Sequence, residues 1–171
     1  NNESRSTNSL EGGGGGIYSK STTLNIKHSE FRNNTCQQEG GAIRVKSRVL
    51  ILDSCIVSQN FALQEGGGIW ATFAKTEISN SIFTDNATST SIGSYSGGAL
   101  SLKDRSSGFV KNCVFKSNTA GRGGGYYGNK ANVPFSNSLF VNNSSAYQGG
   151  AMYLTNNIDT SFINNTFINN N

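Results

Sequence analysis

The sequence predicts an all-β solenoid, a parallel β-helix of about six coils of roughly 26 residues with three short strands per coil, on three observations. A glycine pair followed by a small and an apolar residue begins at Gly14, Gly40, Gly66, Gly97, Gly123 and Gly149, at steps of 26, 26, 31, 26 and 26. An apolar residue three before an asparagine recurs at Phe31/Asn34, Val57/Asn60, Phe83/Asn86, Phe115/Asn118, Phe140/Asn143 and Phe167/Asn170, at steps of 26, 26, 32, 25 and 27. Between these signals the apolar residues alternate with period two in short β-branched runs, and glycine recurs too often for a helix. Both signals lengthen at the same coil. That places a single insertion near residues 88–96, in the polar run from Thr88 to Ser96.

Residues 1–13 carry no apolar periodicity and form an irregular lead-in or partial cap, and residues 14–171 form one repeat domain. A representative coil starts at Gly40 and divides into Ala42–Val45, Val49–Asp53 and Cys55–Asn60, three runs separated by small or polar residues. Stacking such coils aligns three inward apolar columns. They are Ile17, Ile43, Ile69, Leu100, Tyr126 and Met152; then Ile26, Leu52, Ile78, Val110, Phe135 and Phe162; then Phe31, Val57, Phe83, Phe115, Phe140 and Phe167. Buried large side chains in such columns each contribute about 1.5–3 kcal/mol before entropy is subtracted.

Asn34, Asn60, Asn86, Asn118, Asn143 and Asn170 fall in one column at a bend, where stacked amides can bond the backbone and one another as a ladder. The glycine pairs supply turns with positive φ. They are not phosphate loops, because Gly121-Arg-Gly-Gly-Gly125 lacks the Lys-Ser/Thr that a P-loop requires. Cys36, Cys55 and Cys113 match no zinc spacing and read as small buried thiols; Cys55 and Cys113 lie two coils apart, beyond the reach of a disulfide. Continued alternation places Tyr18, Arg44, Trp70, Ser101, Tyr127 and Tyr153 outward. With a preceding outward column of Gly and Ala, this gives a flat ridge whose Tyr18, Arg44, Trp70, Tyr127 and Tyr153 form a candidate recognition strip.

The net charge is +4, but the basic residues are spread singly, without the clustered footprint of nucleic-acid binding. No apolar run approaches the roughly 20 residues of a membrane span. Acidic residues are dispersed. Glu39 and Glu65 share the column before the glycine pair, yet later coils place Ser96, Arg122 and Gln148 there, so a solvated turn pair is preferred to a catalytic dyad. His28 has no identifiable nucleophilic partner and reads as a corner residue. No catalytic residue, metal site or cofactor is expected. N-glycosylation sequons occur at Asn2, Asn33, Asn86, Asn142, Asn143 and Asn164; Asn33 and Asn142, beside the ladder and facing outward, are the candidate acceptors.

The alternation of Gly-Gly-Ala-Ile, as at Gly40 to Ile43, with Phe-x-x-Asn, as at Phe83 to Asn86, resembles the repeats of the chlamydial polymorphic outer-membrane protein family across residues 14–170. That resemblance implies a β-helical, surface-exposed adhesin passenger, although the family's membrane barrel is not part of this sequence. The resulting expectation is a non-catalytic extracellular or cell-surface segment, structural or adhesive. Its partners would be neighbouring coils or subunits, glycans or surface proteins. A filament subunit and a polysaccharide-active lyase or hydrolase are the alternatives. The stack is expected to be a segment of a longer one, since Asn171 stops before the next glycine pair is due.

Overall fold

The computed structural model describes residues 2–5, 12–91, 96–156 and 159–171. Its described strands form four six-stranded sheets, all parallel, with each strand bonded to its equivalents in the coils above and below. Sheet I comprises Ile17–Lys20, Ile43–Lys46, Ile69–Thr72, Leu100–Lys103, Tyr126–Asn129 and Met152–Thr155. Sheet II comprises Leu24–Lys27, Val49–Asp53, Lys75–Ser79, Ser107–Lys111, Phe135–Ser136 and Phe162–Ile163. Sheet III comprises Glu30–Arg32, Ile56–Ser58, Ile82–Thr84, Val114–Lys116, Leu139–Val141 and Thr166–Ile168. Sheet IV comprises Glu3–Ser4, Thr35–Cys36, Phe61–Ala62, Ala87–Thr88, Thr119–Arg122 and Ser144–Gln148.

Sheet IV corrects the expected three strands per coil to four. Its strands in the first four coils are two residues long, too short to show alternation, and lie between the asparagine and the glycine pair. The lead-in is corrected with it, because Glu3–Ser4 pairs with Thr35–Cys36 as the first strand of that sheet. Residues 1 and 6–11 of the lead-in, and residues 92–95 of the proposed insertion, lie outside the described residues.

Each coil turns at four corners, and each corner is made by a residue in the left-handed region. Ser21, Ser47, Phe73, Lys130 and Asn156 occupy the corner between sheets I and II; His28, Ser54, Asn80, Asn112, Asn137 and Asn164 that between II and III. Asn33, Gln59, Asp85, Ser117, Asn142 and Asn169 turn the chain from III to IV, and Gly14, Gly40, Gly66, Gly97, Gly123 and Gly149 from IV to I. Asn, Asp and Ser tolerate this conformation through their short polar side chains, whereas the last corner is glycine in every coil. There the next glycine also approaches the coil above so closely that a Cβ on Gly41 would collide with the carbonyl oxygen of Gly67.

Within this frame the three apolar columns stack in register. The Phe column places Phe83 on Phe115 and Phe115 on Phe140 with ring centroids 4.8 and 4.5 Å apart and planes within 3° of parallel. Such pairs add about 0.5–1.5 kcal/mol each beyond the area they bury. The Gly/Ala column (Gly16, Ala42, Gly68, Ala99, Gly125 and Ala151) was expected to face outward. It faces the core instead: Ala42 and Ala99 are fully buried, and a Cβ on Gly125 would lie 3.1 Å from the Phe140 ring. The chain bends after the glycine corner, so alternation counted back from sheet I does not carry across it. Small residues are needed there because the Phe column fills the space.

The asparagine ladder runs the length of the stack. Asn34 Nδ2 donates to Asn60 Oδ1, Asn60 to Asn86, Asn86 to Asn118, Asn118 to Asn143 and Asn143 to Asn170, at 2.9–3.0 Å. The backbone N–H of each donor residue reaches the same oxygen, at 2.9–3.1 Å. From Asn60 upward, the second amide hydrogen goes to the carbonyl oxygen of the Phe/Val residue one coil below, as in Asn118 Nδ2 to Phe83 O at 3.0 Å. Asn2 adds a rung, donating to Asn34 Oδ1 at 3.0 Å. From Asn60 to Asn143 both amide hydrogens and the oxygen of each rung are partnered, so burying these side chains leaves no orphaned amide. A shorter column at the II–III corner works similarly: Cys55 N donates to Ser81 Oγ, Cys113 N to Ser138 Oγ, and Ser138 N to Asn165 Oδ1.

Candidate functional site

The glycine corner is where the coils differ from one another chemically. Just before it Glu39, Glu65, Ser96 and Arg122 form a parallel ladder of single bridges, with Gln148 opposite Arg122. Just after it, on sheet I, Tyr18, Arg44, Trp70, Ser101, Tyr127 and Tyr153 stand in register. Because the corner is concave, a side chain of the first column meets the side chain five residues later. Glu39 Oε2 lies 3.1 Å from Arg44 Nη2, and Trp70 Nε1 donates to Glu65 Oε2 at 3.0 Å.

This geometry corrects the predicted recognition strip. Arg44, Trp70 and Tyr127 are buried, at 2%, 6% and 8% exposure, while Tyr18 and Tyr153 are partly buried. The column does lie outside the core, but its members cover one another. The Arg44 guanidinium sits 5.2 Å from the Tyr18 ring centroid and 5.0 Å from that of Trp70, sandwiched between them, and Arg44 Nη1 also donates to the carbonyl oxygen of Gly12. Cation–π contacts gain when water is excluded, as at Arg44. The result is a filled seam rather than an open ridge.

Electrostatics in the seam are mostly settled internally. Glu65 takes Lys103 Nζ on Oε1 at 3.0 Å and Ser101 Oγ on Oε2 at 3.4 Å, besides the indole. Burial pushes the Glu39 carboxyl above its usual range; Arg44 pulls it back and neighbouring Glu65 pushes it further up. For Lys103, burial acts downward, but the charge and hydrogen bond of Glu65 outweigh it and the ammonium ends up above its usual value. Tyr127, stacked on Tyr153 at 5.9 Å, is raised chiefly by burial.

Arg122 breaks the pattern. It has no carboxylate partner among the described residues, and its guanidinium lies over Tyr153, 5.9 Å from the ring centroid; its Nε, like that of Arg44, is buried without an acceptor. Sequence reading placed Arg122 in this column but gave it no role. The signal was present: it is the cation at a position that holds Glu in two earlier coils.

The other singled-out residues fall as follows. His28 is an exposed corner residue with φ 48°. Cys36, Cys55 and Cys113 are buried and free, and burial lifts the Cys113 thiol to about 11, far from a reactive thiolate. Asn33 and Asn142 are exposed at left-handed corners, whereas the sequon asparagines Asn86 and Asn143 are fully buried in the ladder. Among the described residues no group of three His, Cys, Asp or Glu side chains is placed to hold a metal ion.

A family model described as a right-handed beta helix region matches residues 3–171. The chain belongs to that family. The match spans all four sheets, so the parallel stack described above is the right-handed β-helix itself. Comparison with curated proteins and with solved structures returned no match.

Proposed function

We propose that this β-helix is a non-catalytic, extracellular segment of a cell-surface protein, acting as a rigid rod with a structural or adhesive task. The observation that carries this reading is the uninterrupted asparagine ladder, which ties the coils into one stiff column. The seam agrees with it. Glu39 and Glu65, the carboxylates that adjoin one another across coils, are already held by Arg44, Lys103 and Trp70 rather than free to act as acid and base. The resemblance of the repeats to chlamydial surface adhesins supports an exposed location, and exposed Asn33 and Asn142 suit glycan attachment if the chain passes a secretory route.

The competing reading is a polysaccharide-active enzyme. In its favour stands one observation, the raised carboxyl of Glu39 beside a second carboxylate. Incubation with a panel of neutral and acidic polysaccharides distinguishes the two. The rod leaves polymer length and reducing ends unchanged, whereas chain cleavage abolished by Glu39→Gln would establish the enzyme.

A further inference from the structure

We infer that Arg122 and Tyr153 bind a ring-borne anionic group, a carboxylate or a sulfate, on an acidic glycan. The inference rests on the non-catalytic reading above and names the ligand class for its adhesive task.

The argument starts from the column. In the second and third coils the position before the glycine is Glu, and the residue five later engages it: Arg44 forms an ion pair with Glu39, and Trp70 donates to Glu65. In the fifth coil the same position is Arg122, and the residue five later is Tyr127, which supplies no anion. Lys103, the next cation on sheet I, is already committed to Glu65. Among the described residues the charges of the seam are therefore Glu39 and Glu65 against Arg44, Lys103 and Arg122, leaving Arg122 without a carboxylate. A partly buried guanidinium without a carboxylate partner gains most from a planar oxyanion that accepts two parallel N–H donors.

The surroundings favour a sugar over an acidic peptide or a nucleic acid. Arg122 lies against the partly exposed Tyr153 ring, which stacks on Tyr127 with planes 14° apart, so cation and aromatic adjoin one another. A sugar ring carrying its own acid uses both, packing on the aromatic while its oxyanion meets the guanidinium. A polyphosphate draws its affinity from clustered cations, and the seam offers Arg122 alone.

The test uses the whole chain immobilised and probed with polygalacturonate for carboxylate, heparin for sulfate, dextran as a neutral polymer and a DNA duplex. Salt-sensitive binding to polygalacturonate or heparin but not dextran, weakened at least tenfold by Arg122→Gln and by Tyr153→Ala at unchanged melting temperature, is the expected result. The polymer that binds identifies the anion. Absence of binding to both acidic glycans, equal binding by Arg122→Gln, or DNA bound as well as either glycan would overturn the inference. Loss of binding only alongside a fall in melting temperature would also overturn it, because the role would then be structural. Recovered polymer of unchanged length keeps the non-catalytic reading separate: cleavage would sink that reading even with binding intact, and absence of binding leaves it standing.

Discussion

The two corners that flank sheet IV bury polar side chains in opposite ways. At the asparagine corner one residue type repeats in every coil and bonds the next copy of itself, so nothing about the chemistry changes along the axis. At the glycine corner the backbone repeats but the side chains do not: Glu39, Glu65, Ser96 and Arg122 follow one another on identical bridges. Segment length varies there too. Asn118 is five residues before Gly123 where Asn34 is six before Gly40, and the bridging from Ala120 to Arg122 shifts register against the last coil. A uniform ladder can tolerate neither change, since each rung is both donor and acceptor. The contrast assigns stability to the first corner and leaves the second free to vary.

The sharpest way to break the comparison is to remove a rung. Asn118→Ala loses two donated and two accepted hydrogen bonds and should cost about 4 kcal/mol in urea denaturation, at about 1 kcal/mol per bond with orphaned partners adding more. Asn142→Ala, at an exposed corner with φ 55°, should cost about 1 kcal/mol, the strain of a left-handed residue that lacks asparagine's short polar side chain. Equal losses would show that the ladder position matters no more than the exposed turn position beside it.

Next comes the seam. Trp70→Ala removes a 6% exposed indole, its bond to Glu65 and one face of the Arg44 sandwich, and should cost about 3 kcal/mol. A loss below 1 kcal/mol would restore Trp70 to an open surface. Ala99→Leu tests the inward bend after the glycine corner: overpacking the core should cost about 2 kcal/mol, whereas an outward column would accept it without loss.

Lys103 provides the pH test. Its folded value lies above its unfolded one, so its contribution is complete below about pH 10 and is lost as pH rises through the folded value. Wild type should therefore lose more melting temperature between pH 9 and pH 11 than Lys103→Met does. The smallest effect is a gain. Tyr126 is fully buried in the Ile column with an unpartnered hydroxyl, and Tyr126→Phe should stabilise the chain by about 1 kcal/mol in the same denaturation assay.

The extent to which the sequence revealed this arrangement followed from what repeats. The period, the three apolar columns and the placement of the ladder residues were legible because stacking copies one residue type into every coil. Sheet IV was not, because strands as short as Phe61–Ala62 carry no period. The inward Gly/Ala column was missed because alternation was extended back from Ile43 and its equivalents into the bend at Gly41 and Ala42, which re-aims the chain. Burial of Trp70 depends on Glu65 meeting it across that turn, a relation visible only once the corner is known to be concave.

Amide hydrogen exchange tests the central claim most directly, because the backbone N–H groups of Asn60, Asn86 and Asn118 each donate to the next asparagine side chain rather than to a strand. They should exchange as slowly as the buried amides of sheets I and III, since opening a rung requires parting two coils. Exchange as fast as that of an unfolded chain would show that the ladder does not hold the stack together.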